Sequence, residues 1–178
     1  MIKSLITAAF LLTVTPTLVS AQDCDWKEHK KDPISEQTFI RSKKVTIVGD
    51  QKFGQADKKF LDLHIELTDG KVMLYGYFHR MNYMSDERIS QPKLLIKLED
   101  KTLVELNTEE AFSTKLIPPG ITEINFRFQV STNDLKALAK SPSTALRMSF
   151  SGQDFLFEMK DKKAITIQEQ FKCMTQEI

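Results

Sequence analysis

Cysteine is scarce in this 178-residue chain, which holds only two. Two are too few for a disulfide-dense mini-protein or a four-cysteine zinc site. An excess of either charge is lacking as well. Lys and Arg number 25 against 24 Asp and Glu, so no cationic surplus exists to hold a nucleic acid backbone or an anionic membrane. The six glycines, at 49, 54, 70, 76, 120 and 152, never stand two apart. That spacing removes the dinucleotide-binding fingerprint, and there is no P-loop. No serine sits between glycines as in a nucleophile elbow. There is no His-Glu-x-x-His and no histidine pair at i, i+2 or i, i+4, so neither a metal nor a cofactor is expected. What is present is 41% hydrophobic and 28% charged residues, a composition that suits one globular domain and is too apolar for disorder.

The longest uncharged apolar stretch lies in residues 1–21, MIKSLITAAFLLTVTPTLVSA. Lys3 supplies a positive start, Leu5 to Leu12 an apolar middle, and Val19-Ser20-Ala21 the small residues of a cleavage site. This reads as a signal peptide cut before Gln22, leaving residues 22–178 as a single β-rich domain without a transmembrane segment. The expected location is periplasmic or secreted. In an oxidising compartment, Cys24 and Cys173 are expected to form one disulfide tying the ends together. Trp26, two residues from Cys24, is expected to pack over that bridge.

Alternation of apolar and polar residues dominates the rest. Leu61, Leu63, Ile65 and Leu67 alternate with polar residues up to Asp69-Gly70, and Val72, Leu74, Gly76 and Phe78 follow. A two-residue hairpin turn there sets Leu67 against Val72 and Leu61 against Phe78 on a core face. The other face pairs Glu66 with Met73, His64 with Tyr75, Asp62 with Tyr77 and Phe60 with His79. A second hairpin is expected around Ser151-Gly152-Gln153-Asp154. With Gly152 first in a type II′ turn, Phe150 opposes Phe155, Met148 opposes Phe157, and Arg147 faces Glu158. A third joins Leu94–Leu98 to Leu103–Leu106 through a loop of three or five residues. Further strands are expected over Lys44–Val48 and Thr122–Val130. Ser131 with Asp134 caps a short helix that stops before Pro142. Ala164, Ile167, Phe171 and Met174 form the stripe of a C-terminal helix, although Thr166 and two isoleucines weigh against it. The fold class is mainly β: an antiparallel β-sandwich or partly closed barrel of seven to ten strands, with one short helix and a C-terminal helix.

Two places carry chemistry. On the polar face of the first hairpin, His64 and Tyr75 oppose each other beside Asp62, Glu66, Tyr77 and His79. Carboxylate, imidazole and phenol together suit acid–base work or a polar ligand; a half-solvated sheet face accounts for the same residues. The second place is the connection 80–92, long for a compact domain, where Met81, Tyr83 and Met84 offer adaptable apolar contact. The lysine clusters Lys30-Lys31, Lys43-Lys44, Lys58-Lys59 and Lys160 to Lys163 read as solvated faces.

Cys24 just after the cleavage site, the run Ser131-Thr-Asn-Asp-Leu-Lys-Ala-Leu-Ala139, then Leu146-Arg147, Lys162-Lys163 and Lys172-Cys173 resemble a group of small exported proteins of Gram-negative bacteria with a cysteine near each mature end. That resemblance implies an exported β-rich domain with linked ends and transfers no site. The preferred reading is a non-enzymatic binding module for an unknown protein or small polar ligand of the envelope. A hydrolase using the His64/Tyr75 face is one alternative. An inhibitor of an envelope enzyme acting through the 80–92 loop is the other.

Overall fold

Residues 24–49, 59–81, 92–108, 114–117 and 121–178 are described by the computed structural model. Residues 1–21, where a leader is expected, Tyr83 and Met84 lie outside them; Met81 is described by its backbone alone. Among the described residues, eleven strands and two helices run in the order β1 (Trp26–Lys31), β2 (Thr38–Ser42), β3 (Val45–Val48), β4 (Lys59–Thr68), β5 (Lys71–Met81), β6 (Lys93–Leu98), β7 (Leu103–Asn107), β8 (Thr114–Ile117), β9 (Ile121–Val130), α1 (Thr132–Lys140), β10 (Ser143–Phe150), β11 (Gln153–Glu158) and α2 (Asp161–Thr175). The count exceeds the seven to ten expected. The strands that alternation did not signal are β1, β2 and β8. Strand β1 is mostly charged, and β8 is four residues long and largely exposed.

Two antiparallel sheets face each other. The larger follows β1-β2-β4-β5-β9-β8 with β3 also on β4, the smaller β11-β10-β6-β7, and the two do not close into a barrel. The first hairpin has the register its Asp69-Gly70 turn predicts, with Leu67 opposite Val72, His64 opposite Tyr75 and Leu61 opposite Phe78. Both turn residues have positive φ, 52° and 71°, which the mirror-image turn of a tight hairpin requires. The third hairpin sets Ile96 against Val104 around a three-residue loop ending at Lys101, φ 70°.

The second hairpin departs from its expected register. Its turn is Ser151-Gly152, with φ 49° and 70°, so Phe150 opposes Gln153, Met148 opposes Phe155 and Leu146 opposes Phe157. Arg147 therefore faces Leu156, and Glu158 pairs with Ala145; the expected Arg147–Glu158 pair does not form. The slip moves each pairing by two positions. Side chains alternate with period two, so every apolar residue keeps its face. Phe150, Phe155 and Phe157 still reach the core and pack around Phe78, with ring centroids 4.7 to 6.1 Å away.

Both helices form where expected. Ser131 caps α1, its hydroxyl accepting from Asp134 N at 3.1 Å and donating to the Asp134 carboxylate at 2.6 Å. In α2, Ala164, Ile167, Phe171 and Met174 are all buried; packing outweighs the β-branched residues' helix penalty. Helix α2 touches α1, β10 of the small sheet, and β3 and β4 of the large one, so it bridges the two layers. It also secures the break between β2 and β3, which share β4. There the Ser42 hydroxyl accepts from Ile65 N at 2.9 Å and donates to Gln170 at 3.1 Å, while Gln170 donates to Lys43 O at 2.9 Å. Cys24 and Cys173 are bonded, Cα atoms 5.7 Å apart, joining the approach to β1 to helix α2. Trp26 is half-buried against the core and lines a groove with Cys173. No helix among the described residues is long and apolar enough to cross a membrane.

Candidate functional site

The period-two alternation that sends Leu63, Ile65, Leu74 and Phe78 into the core sends His64, Glu66, Tyr75 and Tyr77 to the opposite face of the large sheet. There Tyr75 and Tyr77 are partly exposed, while His64 and Glu66 are buried, 3% and 7% exposed. The cover comes from their neighbours. The His64 ring lies between Tyr75, centroids 4.9 Å apart and planes within 5°, and Tyr77, 5.5 Å and 17°. The Lys44 ammonium stands 3.9 Å from the Tyr77 ring centroid, a cation–π contact that closes the stack. Lys44 is exposed, as its lysine cluster predicts, and its ammonium also caps this face.

Hydrogen bonds and ion pairs run outward from the stack. Glu66 receives Arg41 Nε at 2.5 Å and His64 Nε2 at 3.0 Å, which puts the imidazole proton on Nε2. His64 Nδ1 is buried and has no hydrogen-bond partner among the described residues. Burial holds the His64 pKa below its ordinary value of 6.5, with the Glu66 hydrogen bond acting against it, so the ring is neutral at pH 7. Arg41 also pairs with Glu28, at 3.5 Å, and Glu28 with Lys30. Glu66 and Arg127 both act on the Tyr75 hydroxyl, Glu66 raising its pKa and Arg127 lowering it. Burial is the main cause raising the pKa of both tyrosines, and the Glu66 charge adds to it. Asp62 and His79 form a separate group, His79 Nε2 standing 3.5 Å from Asp62 and its Nδ1 3.8 Å from Glu123 of β9. The His79 hydrogen bond is the main cause lowering the Asp62 pKa.

Beside this stack a cleft of about 560 Å³ opens toward the Asp69-Gly70 turn. Its wall includes Tyr75 and Met73 from β5, Arg127 and Gln129 from β9, Asn107 and Thr108 from the small sheet's edge, and Lys71 and Asp69 at the turn. Tyr75 and Arg127 belong to both the cleft and the stack; His64 does not line it. A second groove, with Lys30, Lys31, Asp32 and Phe39 in its wall, shares Thr68 and Asp69 with the first.

The structure therefore brings together the six residues singled out on the first hairpin, as two groups, and adds partners that the hairpin does not contain. Arg41, Lys44, Arg127, Gln129 and Asn107 come from other strands and the β2–β3 link. Their faces follow from alternation, but their neighbours follow from strand order. Of the second expected place, Tyr83 and Met84 fall outside the described residues. No group of three or more His, Cys, Asp or Glu suited to a metal ion occurs among the described residues. The chain matches no protein-family model, no curated protein and no solved structure.

Proposed function

We propose that the protein is a non-enzymatic binding module whose ligand site is the cleft beside Tyr75. The observation that carries this reading is how the reactive groups are used. His64, the residue best suited to general-base work, has both ring faces against tyrosines and its Nε2 on Glu66, and is absent from the cleft wall. Burial, with the Glu66 charge adding to it, holds the Tyr75 pKa above the ordinary phenol value of 10.0. A general base must reach the proton it abstracts and be free to accept it; His64 does not line the cleft, and Tyr75, which does, keeps its proton at neutral pH. The wall instead offers amides, hydroxyls, a guanidinium and an ammonium around a cavity of small-molecule size. This arrangement holds a polar ligand without transforming it. The reading includes export: a leader over 1–21 and a periplasmic or secreted home fit the Cys24–Cys173 disulfide, which persists in oxidising compartments.

The test is a titration of isotope-labelled residues 22–178 with sorbitol, gluconate, N-acetylglycine and N-acetylglycinamide, followed by amide chemical shifts. Saturable shifts confined to the surroundings of Met73, Tyr75, Asn107 and Arg127 are the expected outcome. If none of the four probes moves these amides, the binding-site reading fails.

A further inference from the structure

The cleft beside Tyr75 is one half of a longer site: we infer that the face of the large sheet turned away from the core binds a short linear oligosaccharide, with one sugar ring on Tyr75 and another on Phe39. This inference rests on the binding-module reading above and extends its ligand beyond the first cleft. The two clefts, about 560 and 470 Å³, share Thr68 and Asp69 in their walls, so they adjoin at the end of β4. Each contains one aromatic side chain, Tyr75 in the first and Phe39 in the second. Both are partly exposed. Register puts them on one face. Phe39 pairs with Thr68, and Tyr75 with His64 four residues earlier on β4; an even offset keeps both rings on the same side of the sheet. Strands β2 and β5 flank β4, so the two positions lie roughly 17 Å apart along and across the strands. That exceeds one sugar ring and lies within the reach of a few linked ones.

Each ring is braced from within the sheet. Tyr75 lies parallel to the buried His64 ring, with 4.9 Å between centroids, and His64 does not line the cleft. Phe39 carries the Arg41 guanidinium 5.2 Å from its ring centroid, and Arg41 does not line the second cleft. The protein's own side chains thus occupy one face of each ring, and the ring surface in the cleft wall is left for a ligand. A flat apolar surface already held in place packs against the C–H face of a sugar at little ordering cost. Around the rings the walls hold hydroxyls and amides, Thr68, Asn107 and Gln129 at the first cleft and Gln37 and Thr38 at the second. Such groups both donate and accept, as the hydroxyls along a glycan require. A peptide fits less well. It adds to a sheet edge or needs apolar pockets for its side chains, whereas Tyr75 and Phe39 stand on a sheet face, and among the described residues only Met73 and Pro33 add apolar surface to the walls. A single-stranded nucleic acid would lay its phosphates beside Asp32 and Asp69, where a cationic groove is needed.

Dependence on ligand length tests this. Cellotetraose, maltotetraose and N-acetylated chitotetraose are titrated calorimetrically into residues 22–178, beside glucose and N-acetylglucosamine. At least one tetrasaccharide should bind about tenfold or more tightly than its own monosaccharide, the gain from seating a second ring on the same face. It should also shift the amides of Phe39 and Tyr75 together. Phe39→Leu and Tyr75→Leu keep apolar bulk and remove the flat ring, and each should weaken that tetrasaccharide about tenfold. Tyr75→Leu also strips His64 of a stacking partner, so if that variant unfolds, Phe39→Leu and the wild-type length series decide. Equal affinity for tetrasaccharide and monosaccharide, or undiminished binding to Phe39→Leu, overturns the two-ring site. Tetraalanine and oligothymidylate serve as counter-probes: saturable binding of either at these amides, with no tetrasaccharide bound, overturns the glycan and assigns the face to that class. If no tetrasaccharide binds, this inference falls, and the binding-site reading is decided separately by the sorbitol, gluconate, N-acetylglycine and N-acetylglycinamide titrations above.

Discussion

His64 shows how one residue's surroundings decide its chemistry. On a bare two-stranded ribbon it would be an accessible imidazole next to a phenol and two carboxylates. In the sheet it is a buried neutral ring whose faces are filled by Tyr75 and Tyr77. The consequence is a pH dependence with a definite sign. Because the folded-state pKa lies below 6.5, the unfolded chain binds more protons than the folded one in the window beneath 6.5. Stability from this group is therefore complete above pH 6.5 and is lost as pH falls through that value toward the folded pKa. The carboxylates with lowered pKa values, Asp62 among them, start from ordinary values of 3.8 to 4.5. Their contribution is present above those values and is lost only at lower pH, so the two effects separate. Urea midpoints measured between pH 7.5 and 5 should decline in the wild type, and His64→Gln should flatten that decline while lowering the midpoint at pH 7.5. An unchanged slope in the variant would assign the decline to another group.

At the scale of elements, two hairpins share one turn geometry with different sequences. Asp69-Gly70 and Ser151-Gly152 both place two successive residues at positive φ. Asp tolerates that region through its short polar side chain, and Asp-Gly is a strong signal for it; Ser is not. This is why the first hairpin's register is legible in the sequence and the second's is not: with Ser151 in place of Asn or Asp, the glycine alone points to a turn one residue later than the one that forms. Period-two alternation preserved the faces, so the core residues Phe150, Phe155 and Phe157 were legible even where their partners were not. The candidate site divides along the same line. His64, Tyr75, Glu66 and Tyr77 belong to one hairpin and were legible; Arg127 and Arg41 required knowing that β9 lies beside β5 and β2 beside β4. Such non-local pairings leave no mark in local spacing. The Ser151 hydroxyl is buried without a hydrogen-bond partner among the described residues, at a strained φ. Ser151→Asn should therefore raise stability by about 0.5 kcal/mol, as turn optimisation commonly does. Chemical denaturation at pH 7 measures it, and a lower midpoint would mean that the larger side chain does not fit there.

The whole molecule is held together by the way its last element reaches back to its first. Helix α2 bridges both sheets, and Gln170 on it secures the break between β2 and β3. Cys173 on the same helix is bonded to Cys24, closing a loop of 149 residues in sequence separation. Two consequences of cutting that bond can be told apart. Globally, a loop so long restrains the unfolded chain, and on the chain-entropy model its closure stabilises by roughly 5 kcal/mol, within a usual range of about 2–5 for native bridges. Locally, β1 is an edge strand held by β2 on one side and by the bridge at its start, whereas α2 keeps Ala164, Ile167, Phe171 and Met174 in the core with or without the bond. The Cys24→Ala/Cys173→Ala variant should therefore stay folded with its helical dichroism intact and unfold at lower denaturant, by roughly 2–5 kcal/mol. Amide hydrogen exchange should quicken over Trp26–Lys31 far more than over β5, beyond what the global loss explains. Because Glu28 of β1 pairs with Arg41, which in turn holds Glu66, fraying of β1 should also loosen the support beneath Tyr75. Exchange that rises uniformly, with β1 no faster than the rest, would assign the bridge a purely global role and leave the cleft independent of it.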